Sequence, residues 1–321
     1  MRVAFLGTPS FAVPSLRALF ESVEHEVVCV VTQPDKPVGR GGRVSMSAVK
    51  EVAVELGIPV LQPERISREV ELFDEYRPDV LVTCAFGQML RQNVLHYAKY
   101  GVINVHGSLL PKYRGSSPIQ WSIIEGEKKT GVTIMRTDIG MDTGDMIAVR
   151  EMDVGDDETA GELFDRMSVV GAELLIDVLG RIERGEAEYT PQNHDIATKH
   201  PMLKKEDGRI DWSRAAVQIK NQVRGMNPWP GAFFVSDGQV VKLHRVSVVS
   251  ACDVDCLVRR GFDFEGAVIG SVVFVDKKSL WVKCGDSSVL SLDILQASGG
   301  KSLSVRDFVN GRKFAVGGVL G

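Results

Sequence analysis

Residues 102–111 read VINVHGSLLP, a run of β-branched apolar residues that ends in Gly, Ser and Pro. Such a run predicts a buried strand that closes in a turn. Asn104 and His106 interrupt it two positions apart, and alternate residues of a strand point to the same face. Because open α/β sheets bind ligands at the carboxyl ends of their strands, we expect this amide and imidazole to face a ligand together.

Similar apolar runs recur through the first half of the chain, separated by helix-like stretches. The runs are RVAFLGT, EVVCVVTQ, PVLQP, DVLVTCAF and GVINVH, which begin at residues 2, 26, 59, 79 and 101. The stretches between them predict helices over residues 10–21, 46–56, 67–76 and 88–97. A long amphipathic stretch over residues 159–185 predicts a final helix. This alternation predicts an α/β fold with a Rossmann-like, mostly parallel sheet.

The remainder of the chain has a different pattern. Residues 186–208 are polar and aperiodic, which is typical of a linker. Residues 209–225 predict one helix, and the short β-rich segments that follow, with a hairpin signal SDGQ at 236–239, predict a small OB-like β-barrel. We therefore divide the chain into an α/β domain over 1–188, a linker over 189–208 and a β-barrel domain over 209–321.

The composition is that of an ordinary globular protein. The 321 residues carry a net charge of −4, and 44% of them are hydrophobic. No apolar stretch reaches membrane-spanning length, and the opening MRVAFLGTPSF has too short an apolar run for a secretory signal. The five cysteines are scattered without a metal-ligand or disulfide spacing. We therefore expect a protein of the reducing cytoplasm.

The first strand-to-helix turn, FLGTPSFA at residues 5–12, lies where a dinucleotide-binding fingerprint would stand. Pro9 takes the position at which GxGxxG has its second glycine, the residue that lets the backbone approach a pyrophosphate. The phosphate-binding pattern GxxxxGK[ST] does not occur in the chain either. The sequence therefore favours a Rossmann-like sheet without the usual nucleotide cofactor.

A carboxylate follows in DIGMDTGDM, residues 138–146, after the strand-like GVTIMRT. An amide can donate to the oxyanion of a tetrahedral carbonyl, an imidazole can move a proton, and a carboxylate can orient the imidazole. If Asn104, His106 and Asp142 converge, they suit acyl transfer to a substrate that brings its own nucleophile. The alternative is structural: Asn104 as a turn former, His106 as a partly buried polar residue and Asp142 as a loop cap.

Two longer stretches carry a family resemblance: NVHGSLLPKYRGSSPIQW from residue 104 and GVTIMRTDIGMDTGDM from residue 131. They resemble the folate-dependent formyltransferases, whose motif is Asn-x-His, then Ser-Leu-Leu-Pro and a downstream Asp. The resemblance implies formyl transfer from the cosubstrate 10-formyltetrahydrofolate to an amine, with Asn104, His106 and Asp142 as catalytic residues. It implies folate contacts at Ser108, Leu109, Leu110 and Pro111, and pterin-side contacts at Phe86, Gly87, Gln88, Met89 and Leu90.

Other stretches resemble one branch of that family, which formylates the methionine on initiator tRNA for translation initiation. They are FLGTPSFAVPSL at 5–16, TQPDKPVGRGGR at 32–43, KKEDGRIDWS at 204–213 and NPWPGAFF at 227–234. The resemblance implies tRNA contacts by Arg40 and Arg43 of the loop 34–47, a folate-binding catalytic domain over 1–188 and a tRNA-binding domain over 209–321. Gly42 and Arg43 replace the usual Lys-Lys pair, so we expect a weaker salt dependence of tRNA binding than in more basic relatives.

The resemblance leaves alternatives open. A related formyltransferase could act on a sugar-nucleotide amine or release formate by hydrolysis, and a tRNA-binding module could have lost catalysis. The Arg40 loop and the barrel-type tail disfavour the first two, and the intact Asn104, His106 and Asp142 disfavour the third. We therefore expect a cytoplasmic, monomeric enzyme that uses 10-formyltetrahydrofolate and initiator Met-tRNA, with no metal and no membrane partner.

Overall fold

The computed structural model describes residues 1–38, 43–259, 261, 264 and 266–321, which form two compact units. The first unit contains Met1–Pro118, Lys129–Asp153 and Leu163–Pro201. The second contains Ile119–Lys128, Val154–Glu162 and Met202–Gly321. Each unit therefore gathers segments that are distant in the sequence. The domain boundaries at residues 188 and 208 stay a prediction.

The elements follow one another along the described chain as strands with intervening helices. The strands are β1 Arg2–Gly7, β2 Glu26–Val31, β3 Lys36–Val38, β4 Arg43–Ser45, β5 Val60–Leu61, β6 Val80–Cys84, β7 Val102–His106, β8 Arg114–Gly115, β9 Lys129–Arg136, β10 Met146–Asp153, β11 Lys199–His200, β12 Ala232–Ser236, β13 Gln239–Val248, β14 Val272–Val275, β15 Leu280–Lys283, β16 Val289–Ala297 and β17 Ser302–Ser304. The α-helices are α1 Val13–Glu21, α2 Ala48–Glu55, α3 Gln92–Leu95, α4 Pro118–Ile124, α5 Ala160–Arg184, α6 Ala216–Gly225, α7 Ala251–Val258 and α8 Val305–Gly311.

The sheet of the first unit has the strand order β10-β9-β7-β6-β1-β2-β5. Strands β5, β2, β1, β6 and β7 pair in parallel, whereas β9 runs antiparallel to β7 and β10 antiparallel to β9. The five residues of β6 are all buried, as expected for a strand covered on both faces. The carboxyl end of β7 thus lies between β6 and β9.

The predicted helices agree with the helices of the structure to different degrees. The long helix over 159–185 is confirmed by α5, and α1 and α2 lie within the stretches 10–21 and 46–56. The helices predicted over 67–76 and 88–97 were wrong in extent: the first region forms 3-10 turns at Ile66–Arg68 and Val70–Phe73, and the second contains only the four residues of α3. Short segments make too few i→i−4 hydrogen bonds to offset the cost of nucleation.

The second unit is built on an antiparallel sheet with the order β12-β13-β16-β15-β14, and β17 also pairs with β16. Its first hairpin turns at Asp237 and Gly238, which both have positive φ, as the SDGQ signal predicted. The helix predicted over 209–225 is shorter in the structure, because α6 begins only at Ala216. Trp212, which precedes α6 in the chain, belongs to the buried core. The predicted fold class, a Rossmann-like, mostly parallel α/β sheet followed by a small OB-like β-barrel domain, is confirmed as a mostly parallel sheet and a separate domain built on an antiparallel sheet.

Candidate active site

Asn104 lies in the middle of β7, directly opposite Thr83 of β6. The Thr83 hydroxyl donates a hydrogen bond of 2.8 Å to Oδ1 of Asn104. Because the amide oxygen is the acceptor in this bond, the Nδ2 group keeps its two hydrogens for other partners. Within the described part of the chain, Nδ2 has no hydrogen-bond partner. The arrangement leaves a fixed N–H donor at the carboxyl end of the sheet.

His106 follows on the same face of β7 and is buried. Its Nε2 atom lies 3.0 Å from the carbonyl oxygen of Tyr113. A carbonyl only accepts hydrogen bonds, so Nε2 carries the hydrogen, and in the neutral ring Nδ1 is the atom that can accept a proton. This tautomer is assigned from the hydrogen-bond partner. Nδ1 lies 3.7 Å from Oδ2 of Asp142.

Asp142 reaches His106 from the loop between β9 and β10. Its backbone adopts a left-handed conformation with φ +52°, which is uncommon for a residue other than glycine. The same carboxylate oxygen that faces His106 accepts a 2.8 Å hydrogen bond from the backbone N–H of Gly115 in β8. The side chain is 21% exposed. The structure therefore places the carboxylate of Asp142 beside His106, which follows Asn104 by two residues in β7.

The segment Ser108–Pro111 leaves β7 as a tightly held turn. Ser108 is fully buried, and its hydroxyl donates to the carbonyl of Lys112 at 2.7 Å. Thr133 of β9 donates to the carbonyl of Ser108 and accepts from the N–H of Leu110. The Ser108 hydroxyl is therefore committed within the protein, and the half-buried Leu109 is the most accessible side chain of this segment.

The segment Phe86–Leu90 follows β6 and so lies at the same sheet edge as the end of β7. Phe86 is buried in the core, whereas Met89 is 68% exposed. The side chain of Gln88 is used structurally, since it accepts from the N–H of Ile66 and donates to the carbonyl of Pro63. The structure thus places both predicted folate segments at the edge that carries Asn104 and His106.

The predicted tRNA loop is described only at its two ends. Arg40 lies outside the described residues, and Arg43 is described only as the first backbone position of β4, which pairs with β3. At the base of the loop, Lys50 donates to Asp35 at 2.6 Å and Gln62 donates to the other carboxylate oxygen at 2.8 Å. These hydrogen bonds, from Lys50 first and then Gln62, lower the pKa of Asp35.

Sequence reasoning missed several residues that shape the site. Thr83, which orients Asn104, stands in an apolar run, and its position opposite Asn104 follows only from the strand register. Gln192 lies in the segment predicted to be a linker, yet its amide binds the backbone of the Asp142 loop. Thr198 of the same segment accepts from the backbone N–H of Tyr113. None of the three is marked by a local pattern in the sequence.

In residues 1–38, 43–259, 261, 264 and 266–321, no group of three or more His, Cys, Asp or Glu side chains is arranged to hold a metal ion. In those same ranges, no helix combines the length and apolar character needed to cross a membrane.

Comparison with known protein families places the chain. The family model described as formyl transferase matches residues 1–179. The chain belongs to the formyl transferase family. A second model, described as the C-terminal domain of formyl transferase, matches residues 202–313. Both halves of the chain therefore match models of formyl transferase domains.

Among curated formyl transferases, several methionyl-tRNA formyltransferases are similar over their full length. The enzyme of Citrifermentans bemidjiense is 47% identical, with 100% of this chain and 96% of the relative covered. The enzyme of Alkaliphilus oremlandii is 44% identical, with 100% of both chains covered. The enzyme of Acetivibrio thermocellus is 45% identical, also with 100% of both covered.

Solved formyl transferase structures share the fold at low sequence identity. An N-formyltransferase from Helicobacter canadensis, in complex with folinic acid and dTDP-3-aminofucose, has a TM-score of 0.66 and 18% identity, with 92% of this chain and 98% of that chain covered. Glycinamide ribonucleotide transformylase 1 from Symbiobacterium toebii has a TM-score of 0.51 and 17% identity, with 60% and 94% covered. At such identities the likeness concerns the fold alone.

Proposed function

We propose that this chain transfers the formyl group of 10-formyltetrahydrofolate to the α-amine of methionine on initiator tRNA, and that Asn104, His106 and Asp142 carry the reaction. The observation that carries the residue assignment is the 3.7 Å approach of His106 Nδ1 to Asp142 at the strand end that presents Asn104. The assignment of tRNA as the substrate rests on the curated methionyl-tRNA formyltransferases, which are 43–47% identical to this chain over nearly their whole length. They do not favour a sugar-nucleotide substrate.

The reaction begins when the free amine attacks the formyl carbon, so that a C–N bond forms and the carbonyl oxygen becomes an oxyanion. Nδ2 of Asn104 donates to that oxygen, because Oδ1 is already held by Thr83. Pre-oriented donors of this kind stabilise charge that develops in the transition state and need no reorganisation at that moment. The amide therefore lowers the barrier to the tetrahedral intermediate.

The attacking amine must lose a proton as the new bond forms. Nδ1 of His106 accepts it, since Nε2 donates to the carbonyl of Tyr113 in both charge states of the ring. The Asp142 carboxylate, 3.7 Å from Nδ1, stabilises the resulting imidazolium. The C–N10 bond then breaks, and the imidazolium returns its proton to the departing N10. The products are the formylated amine and tetrahydrofolate.

The tRNA would be held outside this edge of the sheet. Arg40 and Arg43 supply cationic groups in a glycine-flanked loop, and Asp35 and Lys50 hold the base of that loop. We assign residues 1–188 to catalysis, 189–208 to a linker and 209–321 to tRNA binding, in line with the two family models. We further propose that the enzyme acts as a monomer in the cytoplasm, where initiator tRNA is charged and used.

The decisive experiment compares formyl transfer from 10-formyltetrahydrofolate to initiator and elongator Met-tRNA, with wild-type protein, Arg40→Ala and Arg65→Ala. Arg65 is an exposed arginine outside the loop and serves as the matched control. We expect a strong preference for initiator tRNA that Arg40→Ala weakens and Arg65→Ala retains. Transfer to neither tRNA, with folate still bound, would contradict the proposed substrate and redirect the search to small amines.

A further inference from the structure

The segment between the two family models contributes to the site. The models end at residue 179 and resume at residue 202, so residues 180–201 belong to neither. In this segment β11 pairs in parallel with β8, which places Lys199 opposite Arg114 and His200 opposite Gly115. Gly115 is the residue whose N–H binds the carboxylate of Asp142. The segment therefore supports the strand on which Asp142 rests.

Gln192 is the residue of this segment that reaches the Asp142 loop directly. It is 5% exposed, and its Nε2 group donates to the backbone carbonyls of Asp142 at 2.9 Å and Gly144 at 2.7 Å. Its Oε1 atom accepts from Nε and Nη2 of Arg114, at 3.0 Å and 2.7 Å. Both hydrogens and both acceptor positions of the amide are thereby used.

Arg114 fixes the direction in which the Gln192 amide points. A guanidinium has only donors, so the amide oxygen must face Arg114 and the amide N–H groups must face the loop. Arg114 is 8% exposed and immediately precedes Gly115 in β8. One side chain thus joins the backbone that carries Asp142 to the strand that binds its carboxylate. The two parts of the Asp142 anchorage cannot move independently while Gln192 holds both.

The loop needs such an anchor for two physical reasons. Asp142 has a φ of +52°, a left-handed conformation that is unfavourable for a residue other than glycine. The carbonyl of Gly144 is buried, and a buried carbonyl without a hydrogen-bond partner is unfavourable. Without the Gln192 amide, both costs favour a relaxed loop. In a relaxed loop the carboxylate of Asp142 leaves its position against His106.

We propose that Gln192 is a positioning residue of formyl transfer, which holds the Asp142 carboxylate against His106 Nδ1 through the Asp142 and Gly144 carbonyls. This rests on the proposed function, because it takes Asp142 and His106 as reacting groups. Gln192 touches neither substrate in this role. Its loss should therefore lower kcat and leave the KM values for folate and tRNA nearly unchanged.

The test uses Gln192→Glu, which keeps an oxygen for Arg114 and loses both N–H donors. We expect kcat to fall by about 10- to 100-fold, the scale of a misplacement near 1 Å, with both KM values within about threefold. Gln222→Glu is the matched control, since buried Gln222 also donates to two backbone carbonyls, those of Asp207 and Arg209, in the second unit. It should retain wild-type kcat even if the protein melts earlier.

A double-mutant cycle with Asp142→Asn separates positioning from general stability. If Gln192 acts through Asp142, adding Gln192→Glu to Asp142→Asn lowers kcat by less than about twofold. A full additional loss in that background, or an unchanged kcat for Gln192→Glu alone, would overturn the inference. Should Gln192→Glu fail to fold, Gln192→Met replaces it in the same cycle, because it is uncharged and of similar length.

The same cycle distinguishes failure of this inference from failure of the proposed function. If Asp142→Asn alone keeps wild-type kcat, the assignment of Asp142 as a reacting group is wrong, and the inference falls with it. If Asp142→Asn loses activity but Gln192→Glu does not, only the positioning role of Gln192 is wrong. A loss in both single variants without a further loss in the double variant supports both.

Discussion

Replacing Asn104 by aspartate separates two roles that its amide can play. Aspartate has nearly the same shape and keeps an oxygen for the 2.8 Å hydrogen bond from Thr83, but an ionised carboxylate has no N–H to donate. Asn104→Ala removes both the acceptor and the donor. The two variants therefore test whether formyl transfer depends on the donated hydrogen bond or only on the contact between β6 and β7.

The magnitude follows from what each variant removes. Loss of one oxyanion donor lowers kcat by about 10²–10³, or about 2.7–4 kcal/mol. In Asn104→Ala the Thr83 hydroxyl also loses its 2.8 Å acceptor and keeps only the longer contact of 3.4 Å to the carbonyl of Ile103, which costs about 1 kcal/mol of stability. A typical domain is stable by about 5–15 kcal/mol, so both variants should fold. We expect both to lose kcat in the stated range.

The assay is steady-state formyl transfer at saturating 10-formyltetrahydrofolate and initiator Met-tRNA, with folate binding measured separately by calorimetry. Asn310→Ala, at an exposed position of α8, is the control and should keep wild-type kcat. A donor role predicts equal or greater loss in Asn104→Asp than in Asn104→Ala. An Asn104→Asp enzyme within about tenfold of wild type would refute the oxyanion assignment.

Three further predictions concern the loop, a buried histidine and the cysteines. A Cβ at Gly144 would overlap the carbonyl oxygen of Arg136, so Gly144→Ala should displace the Asp142 loop. We expect kcat to fall at least about tenfold while the circular dichroism spectrum stays unchanged, and retained activity would contradict this. Burial lowers the pKa of His25 from 6.5, so below that pH the unfolded chain binds a proton that the folded chain does not. Urea unfolding should therefore show that the free energy of unfolding falls as the pH decreases from about 7.5 to about 5.5, which is about one unit on either side of that value. The dependence on pH should be shallower in His25→Gln, and equal slopes in the two proteins would contradict this role of His25. Ellman's reagent should react at once with the exposed Cys252 and Cys256, and with the other thiols only after unfolding. Burial raises the pKa of these other three thiols, those of Cys29, Cys84 and Cys284, to about 12.

The parallel sheet and the polar residues at its carboxyl edge were predictable because both follow from local sequence patterns. Continuous apolar runs such as residues 80–84 are typical of strands in a sheet covered on both faces, and β6 is buried throughout. The spacing of Asn104 and His106 fixes their common face through the geometry of a strand alone. The hairpin at Asp237 and Gly238 follows from the positive φ that its turn requires.

The short helices were not predictable in the same way. Residues 67–76 and 88–97 have helix-like composition, yet the first forms 3-10 turns and the second a single α-helical turn. Their conformation is set by hydrogen bonds from distant parts of the chain, such as that from the N–H of Ile66 to the side chain of Gln88. Local propensity is a weak guide where tertiary contacts compete with it.

The sequence by itself determined the sheet, the order of its strands along the chain and the residue types at its carboxyl edge, because periodicity and spacing are local properties. Only the tertiary structure decided how those residues work. The tautomer of His106 depends on the carbonyl of Tyr113, and the donor direction of Asn104 depends on Thr83 in the neighbouring strand. The anchorage of Asp142 depends on Gln192, 50 residues away in the chain. These contacts join residues that no sequence period relates, so they exist only once the chain has folded.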